Sequence, residues 1–143
     1  MPQQQSLNFL IDHAEMMVQN AAKTMQGEKI LFEEAKSKLL MLVEYHADYR
    51  SRLTSPDSKA LSANAWRDFY LFLNKLEEAI ELQNSLVSKY QKSYEEAVSE
   101  WNHVRQRHKA FLALQKRQHA AVRQKIGKRE QKETDEYAAR RKQ

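Results

Sequence analysis

Residues 66–111 read WRDFYLFLNKLEEAIELQNSLVSKYQKSYEEAVSEWNHVRQRHKAF, and this stretch decides the fold. Every seventh residue belongs to one largely apolar series: Trp66, Leu73, Ile80, Val87, Tyr94, Trp101 and His108. The positions three residues further on form a second series: Phe69, Leu76, Gln83, Tyr90, Ala97, Val104 and Phe111. A helix that keeps such a seam at a spacing of about 3.5 residues must bury it against another helix. The sequence therefore predicts a long coiled coil.

The composition excludes several other classes of protein. The 143 residues include only 2 Gly and 2 Pro, and charged residues make up 30% of the chain. Residues with branched β-carbons are few, so a β-sheet is not expected. Without Cys there is neither a disulfide nor thiolate chemistry, which favours a reducing compartment. No apolar run approaches the roughly 20 residues that span a bilayer, and no signal peptide opens the sequence. We therefore expect a soluble, intracellular protein.

The chain contains one interruption, at residues 55–58, where Ser-Pro-Asp-Ser combines a helix-breaking proline with turn-forming residues. Ser62 is the predicted N-cap of the helix that follows, with Asn64 as the alternative. The first helix carries its own seam, which has two series. The first series is Leu7, Ala14, Ala21, Glu28, Ala35, Leu42 and Tyr49. The second is Ile11, Val18, Met25, Phe32, Leu39, His46 and Leu53.

Folding the chain back at Pro56 sets the two seams opposite one another in a single register. The residue numbers of each facing pair then add up to the same total, as an antiparallel hairpin requires; examples are Leu53 with Trp66, and His46 with Leu73. We predict an all-α fold, a long two-helix antiparallel coiled coil (an α-hairpin) with a helical C-terminal overhang. It is a single coiled-coil domain over residues 1–143. Helix 1 covers about 5–54, the turn 55–61 and helix 2 about 62–138.

Positive charge is concentrated in a basic tail, residues 112–143. The tail has ten Lys or Arg residues against four Asp or Glu residues, a formal net charge of +6, whereas the whole chain carries +5. The remaining residues, 1–111, therefore carry about −1. Such an asymmetry is typical of a segment that binds an acidic partner. A solvated helix end and a nucleic-acid-binding segment are the other interpretations, although Tyr137 is the only aromatic residue there that could stack on a base.

The sequence offers no catalytic site, metal site or cofactor site. Two glycines cannot form a phosphate-binding loop, and the five His residues include no pair at i, i+4 that could share a metal ion. Adjacent carboxylates such as Glu77 and Glu78 point about 100° apart on a helix and do not converge. We therefore expect a protein without enzymatic activity.

Aromatic residues are concentrated around the predicted hairpin bend: Tyr45, Tyr49, Trp66, Phe69, Tyr70 and Phe72. A two-stranded seam is narrow, so not all of these side chains can lie between the helices. One interpretation is a locally widened core. The other is a partly exposed apolar patch that binds another protein, since such patches mark interfaces.

Two segments resemble the flagellar export protein FliJ family. Residues 39–53, LLMLVEYHADYRSRL, resemble part of helix 1 of this family, and residues 64–80, NAWRDFYLFLNKLEEAI, resemble the start of its helix 2. The resemblance extends over essentially the whole chain, mainly as heptad character outside residues 38–83. It implies a two-helix antiparallel coiled coil that acts as a stalk in the bacterial flagellar type III export apparatus.

The resemblance also implies partners and binding residues. The end of the hairpin with both termini would enter a hexameric export ATPase, and the other end would bind the export gate protein FlhA. Export chaperones are further expected partners, and the location would be the cytoplasmic face of the inner membrane. The implied gate-binding surface is Leu42, Tyr45, Tyr49, Phe72, Leu76 and Ala79. The basic residues expected to contact the ATPase are Lys116, Arg117, Arg123 and Lys125.

Two flanking positions depart from the family pattern, with Lys38 in place of Gln and Gln83 in place of His. Other functions remain open: the stalk of an injectisome secretion system, a basic coiled coil that binds nucleic acid, or a purely structural filament. The aromatic patch favours the flagellar stalk among them. Contact with a membrane is expected only indirectly, through the export apparatus.

Overall fold

The computed structural model of this chain describes residues 2–55 and 61–141. Two α-helices account for almost all of them: α1 is Pro2–Thr54 and α2 is Ala63–Arg141. Within these described ranges there is no β-strand. Helix α1 begins three residues before the predicted start. Its first residue is Pro2, and proline suits this position because the first backbone N–H groups of a helix have no partner within the helix. Helix α2 continues past the predicted end at residue 138.

The two helix ends that flank the bend are capped by side chains. The Thr54 hydroxyl donates to the carbonyl oxygens of Ser51, at 3.0 Å, and Arg50, at 3.4 Å. At the start of α2, the backbone N–H of Ala65 donates to Oγ of Ser62 at 3.2 Å. Ser62, rather than Asn64, is therefore the N-cap. The predicted helix break at Pro56, Asp57 and Ser58 lies outside the described residues.

The chain divides into two compact units, and α1 packs antiparallel against α2 in each. One unit is Ala21–Glu100, and the other combines Met1–Asn20 with Trp101–Gln143. Every predicted seam position on both helices is buried or half-buried. The buried apolar residues are Leu7, Ile11, Ala14, Ala35, Leu53, Leu73 and Val104. The predicted fold class, a helical hairpin with coiled-coil packing, is therefore confirmed.

Several side-chain contacts between the helices lie one or two helical turns further along α2 than the predicted register suggests. His46 faces Leu73 in that register, yet its Nε2 lies 3.2 Å from Oε1 of Glu77. The rings of Phe32 and Tyr94 meet at 6.0 Å although they are one heptad apart in the predicted pairing. Helical side chains lean toward the N-terminus of their own helix, so in an antiparallel pair the two sets lean toward each other. The displacement follows from that geometry.

Gln83 is a buried polar residue in the seam of the Ala21–Glu100 unit. Its Nε2 donates to the backbone carbonyl of Ala35 at 3.0 Å. The small side chain of Ala35 leaves α1 backbone accessible to this donor. A buried amide that finds a partner costs little, whereas an unpaired one costs roughly 1–3 kcal/mol. Gln83 therefore fits the seam without the penalty that its polarity suggests.

We expect Gln83→Leu to raise the free energy of unfolding by about 1 kcal/mol, because it adds buried apolar surface. The Ala35 carbonyl would not be left unpaired, since it lies inside α1 and accepts a helical hydrogen bond. Urea unfolding followed by circular dichroism measures the change. Gln106→Leu, at an exposed position of α2, is the matched control and should change stability by less than about 0.5 kcal/mol. A loss of stability in Gln83→Leu alone would contradict this account of the seam.

Candidate functional site: two partner-binding surfaces

Four aromatic residues from the two helices meet next to the bend. The ring centroid of Tyr49 lies 4.7 Å from that of Phe72 and 5.6 Å from that of Phe69, both in tilted arrangements. Tyr45, one helical turn before Tyr49 on α1, stacks against it at 6.3 Å. The guanidinium of Arg52 covers the Tyr49 ring at 5.5 Å. Tyr49 is thus the half-buried centre of a cluster that joins α1 to α2.

The six residues predicted to bind the export gate form what we call the aromatic surface: Leu42, Tyr45, Tyr49, Phe72, Leu76 and Ala79. The three from α1 share one face of that helix at spacings of three and four residues, as do the three from α2. The contact between Tyr49 and Phe72 brings the two faces together. The Tyr45 side chain is 55% exposed, and Phe72 is also exposed. The other four residues are half-buried.

The opposite flank of the same unit has a different character. It carries an open groove of about 500 Å³ whose lining includes His46, Arg50, Tyr70 and Glu77, and we call it the polar groove. The hydrogen bond between His46 and Glu77 crosses it, and Tyr70 stacks on Trp66 at 6.3 Å. Aromatic residues near the bend are therefore divided between two flanks. Tyr45 and Phe72 are on one flank, and Tyr70 is on the other.

The second unit contains the N-terminal end of α1 and the C-terminal end of α2. Its last cross-helix hydrogen bonds are those from Gln115 to Asn8, at 3.0 Å, and between Gln4 and His119, at 3.1 Å. Beyond them, every residue of α2 from 120 to 141 is exposed. We call residues 120–141 the unpaired segment.

The four basic residues predicted to contact an ATPase are all exposed: Lys116, Arg117, Arg123 and Lys125. Lys116 and Arg117 lie beside the last cross-helix contacts, whereas Arg123 and Lys125 lie on the unpaired segment. None of the four forms an ion pair with a carboxylate in the part of the chain that the structure describes. Their side chains are therefore available to a partner.

Two groups of exposed apolar residues in this unit are not predicted from the sequence. Val122 and Ile126 lie on the unpaired segment. Phe9, Leu10 and Met17 are exposed on α1, and the last two line a small apolar depression of about 60 Å³. The continuing seven-residue spacing from His108 to Val122 was the signal that could have identified the first group. No comparable sequence signal marks the second.

Residues 2–55 and 61–141 contain neither a metal-binding cluster nor a helix that could cross a membrane. Across these ranges, no cluster of three or more His, Cys, Asp or Glu side chains is arranged to hold a metal ion. Nor does either described helix have a stretch long and apolar enough to cross a membrane.

Comparison with known proteins gives consistent matches along the whole chain. A family model described as flagellar FliJ protein matches residues 3–143. The chain is 31% identical over 140 residues to the flagellar FliJ protein of Salmonella typhi. The matched region covers 98% of this chain and 95% of that relative. It is 30% identical over 135 residues to the flagellar FliJ protein of Escherichia coli (strain K12), covering 94% and 92% respectively. The similarity therefore includes both helices and both candidate surfaces.

Proposed function

This chain belongs to the flagellar FliJ family, which serves bacterial flagellar protein export. From that membership we propose that it is a non-enzymatic stalk that links the export ATPase to the export gate. Each of the two units carries one of the binding surfaces. The aromatic surface binds the gate protein FlhA, and the basic tail binds the hexameric ATPase. The protein acts at the cytoplasmic face of the inner membrane and also binds export chaperones.

The proposed gate contact is supported by the chemistry of the aromatic surface. Exposed aromatic side chains next to half-buried ones supply a large apolar area at a small entropic cost, and they dominate the energy of many interfaces. Tyr45 and Phe72 project from the two helices on either side of Tyr49, which holds them in place by ring contacts. A gate segment that covers Tyr45 and Phe72 would bury apolar surface that the hairpin itself leaves in water.

The proposed ATPase contact is supported by the distribution of charge. Residues 112–129 contain six Lys or Arg residues and no Asp or Glu. A segment with one sign of charge attracts an oppositely charged surface and accelerates association with it. The basic side chains of Lys116, Arg117, Arg123 and Lys125 would therefore bind carboxylates that line the opening of the ATPase ring.

Coupling between the partners requires that one chain bind both. Helices α1 and α2 each run without interruption from one unit into the other. A conformational change in the ATPase can then alter the position of the aromatic surface on the gate only if both contacts persist together. The protein contributes binding and mechanical linkage, and ATP hydrolysis belongs to its partner.

A charge-reversal experiment tests the ATPase contact. We expect the double variant Arg123→Glu, Lys125→Glu to bind purified ATPase at least tenfold more weakly, because two attractive contacts become repulsive. Binding to the purified cytoplasmic domain of the gate should not change. Biolayer interferometry with the full-length chain measures both affinities.

The matched control is Lys89→Glu, Lys92→Glu, which makes the same change in net charge at exposed positions in the Ala21–Glu100 unit. It should bind the ATPase as the natural chain does. Equal weakening in both variants would mean that binding depends only on net charge, and the proposed contact would be wrong. If the natural chain binds neither the ATPase nor the gate domain, the stalk function itself is refuted.

A further inference from the structure

The polar groove is lined on one side by apolar and aromatic side chains. Leu53 from α1 and Leu73 from α2 are both buried and lie at its base. The half-buried ring of Trp66 lines it as well, and Tyr70 stacks on Trp66 with the two ring centroids 6.3 Å apart. Tyr70 is itself exposed, so the hairpin leaves much of this ring in water. An apolar side chain that entered the groove would therefore meet a ready apolar surface.

Polar side chains from both helices line the rest of the groove. The carboxylate of Glu77 is already engaged, since its Oε1 lies 3.2 Å from Nε2 of His46. Arg50 is exposed, and it forms no ion pair with a carboxylate in the part of the chain that the structure describes. The exposed amide of Asn74 offers a further donor. The groove thus combines an unpaired guanidinium with an apolar surface.

A single exposed arginine is common on protein surfaces and does not by itself indicate a site. Here the arginine shares an open groove of about 500 Å³ with two aromatic rings and two buried leucines. Ligand sites typically have volumes of roughly 300–1,000 Å³ and a largely apolar lining, with a few polar groups that fix the orientation of the ligand. The groove is therefore suited to a ligand in which a negative group and an apolar group lie next to each other.

We propose that the polar groove binds an acidic peptide segment. Its Asp or Glu carboxylate pairs with Arg50, and a neighbouring aromatic or aliphatic side chain packs on Trp66 and Leu73. A guanidinium is planar and binds a carboxylate through two parallel hydrogen bonds, which fixes the orientation of the segment. The exposed ring of Tyr70 packs against the same apolar side chain.

The two parts of the ligand act together. An exposed ion pair contributes little in water, so Arg50 alone would bind a carboxylate only weakly. An apolar side chain that covers the groove removes water from the ion pair and strengthens it, because the local dielectric constant falls. Recognition therefore requires both the carboxylate and the apolar side chain.

The groove lies on the flank opposite the exposed side chains of Tyr45 and Phe72. A segment bound in the groove would leave the aromatic surface free, so one unit of the hairpin can hold two partners at the same time. This inference goes beyond the proposed gate and ATPase contacts and does not depend on either of them.

The probe is a synthetic dipeptide, aspartyl-phenylalanine with an acetylated N-terminus and an amidated C-terminus, which has one carboxylate and one ring. It is titrated into the ¹⁵N-labelled full-length chain, and NMR follows the indole N–H signals of Trp66 and Trp101. Trp66 lines the groove, whereas Trp101 lies in the other unit. We expect a saturable shift of the Trp66 signal, with a dissociation constant of about 1 mM or tighter, and no shift of the Trp101 signal.

Two variants and two further probes separate the contributions. Arg50→Gln should bind the probe about tenfold more weakly, since it removes the charge at an exposed position without disturbing the fold. The matched control is Arg67→Gln, which changes an exposed arginine of the same unit outside the groove and should bind as the natural chain does. The capped dipeptides asparaginyl-phenylalanine and aspartyl-alanine lack the carboxylate and the ring respectively, and each should bind about tenfold more weakly than the probe.

Four results would contradict the inference. If the Trp66 signal shows no saturable shift, the groove does not bind an acidic segment. If Trp101 shifts together with Trp66, the probe binds without selecting the groove. If the asparaginyl dipeptide binds as tightly as the probe, Arg50 does not recognise a carboxylate. If inorganic phosphate produces the same shift with the same affinity, the groove is a site for small anions and not for a peptide. The proposed stalk function stands in all four cases.

Discussion

The double variant Tyr45→Ala, Phe72→Ala is expected to bind the cytoplasmic domain of the export gate about 100-fold more weakly than the natural chain, a loss of roughly 2.7 kcal/mol. Tyr45 is 55% exposed and Phe72 40% exposed, so about half of the surface of these two side chains is free to be buried by a partner. Their removal should leave the helix content nearly unchanged and lower the stability by about 1 kcal/mol, because both rings contact Tyr49 in the cluster that joins α1 to α2. Isothermal titration calorimetry gives the affinity, and circular dichroism the stability.

The matched control for this experiment is Tyr70→Ala. Tyr70 is 57% exposed, close to the 55% of Tyr45, and it lies in the same unit. It belongs to the polar groove on the other flank, where it stacks on Trp66. If Tyr70→Ala weakens gate binding as much as the double variant does, the aromatic surface is assigned to the wrong flank. If neither variant affects gate binding, the surface has no role in it.

The variant Leu73→Ala is expected to lower the free energy of unfolding by about 2–4 kcal/mol. Leu73 is the buried member of its series nearest the bend, and it lies beside Leu53 and Trp66 at the base of the polar groove. A two-helix layer cannot collapse from several sides to refill a cavity, so most of the lost contact remains lost. A chain with few buried side chains is strongly affected by such a loss.

The matched control here is Leu82→Ala, the same substitution at a strongly exposed position on α2. Urea unfolding should show a change of less than about 0.5 kcal/mol for this control. Equal effects in Leu73→Ala and Leu82→Ala would mean that the seam does not hold the hairpin together. A large effect confined to Leu82→Ala would mean that the buried face of α2 has been assigned wrongly.

Much of the candidate site could be predicted from the sequence, because it depends on the spacing of residues along each helix and on the pairing of the two helices. The spacing of Tyr45 and Tyr49 puts them on one face of α1, and the register fixed by the bend places that face beside Phe72. The structure brings Tyr49 and Phe72 together as this reasoning predicts. The identification of these residues as the gate-binding surface came from the family resemblance, and it remains a prediction.

The heptad spacing by itself determined the fold of this protein, because a seam repeated over so many turns has no other stable solution than a second helix against it. It likewise determined which side chains are buried, from Leu7 at one end of the seam to Leu53 at the other. These are consequences of local geometry, since the position of a residue around a helix follows from its number alone.

Only the tertiary structure decided how individual side chains find their partners. The bond from Gln83 to the Ala35 carbonyl requires a backbone left open by a small residue, and sequence spacing does not reveal such an opening. The contact of His46 with Glu77 depends on the lean of side chains from two antiparallel helices. Val122 and Ile126 lie on α2 beyond the last cross-helix hydrogen bond, that of Gln4 with His119, and where those bonds end is a property of the folded pair.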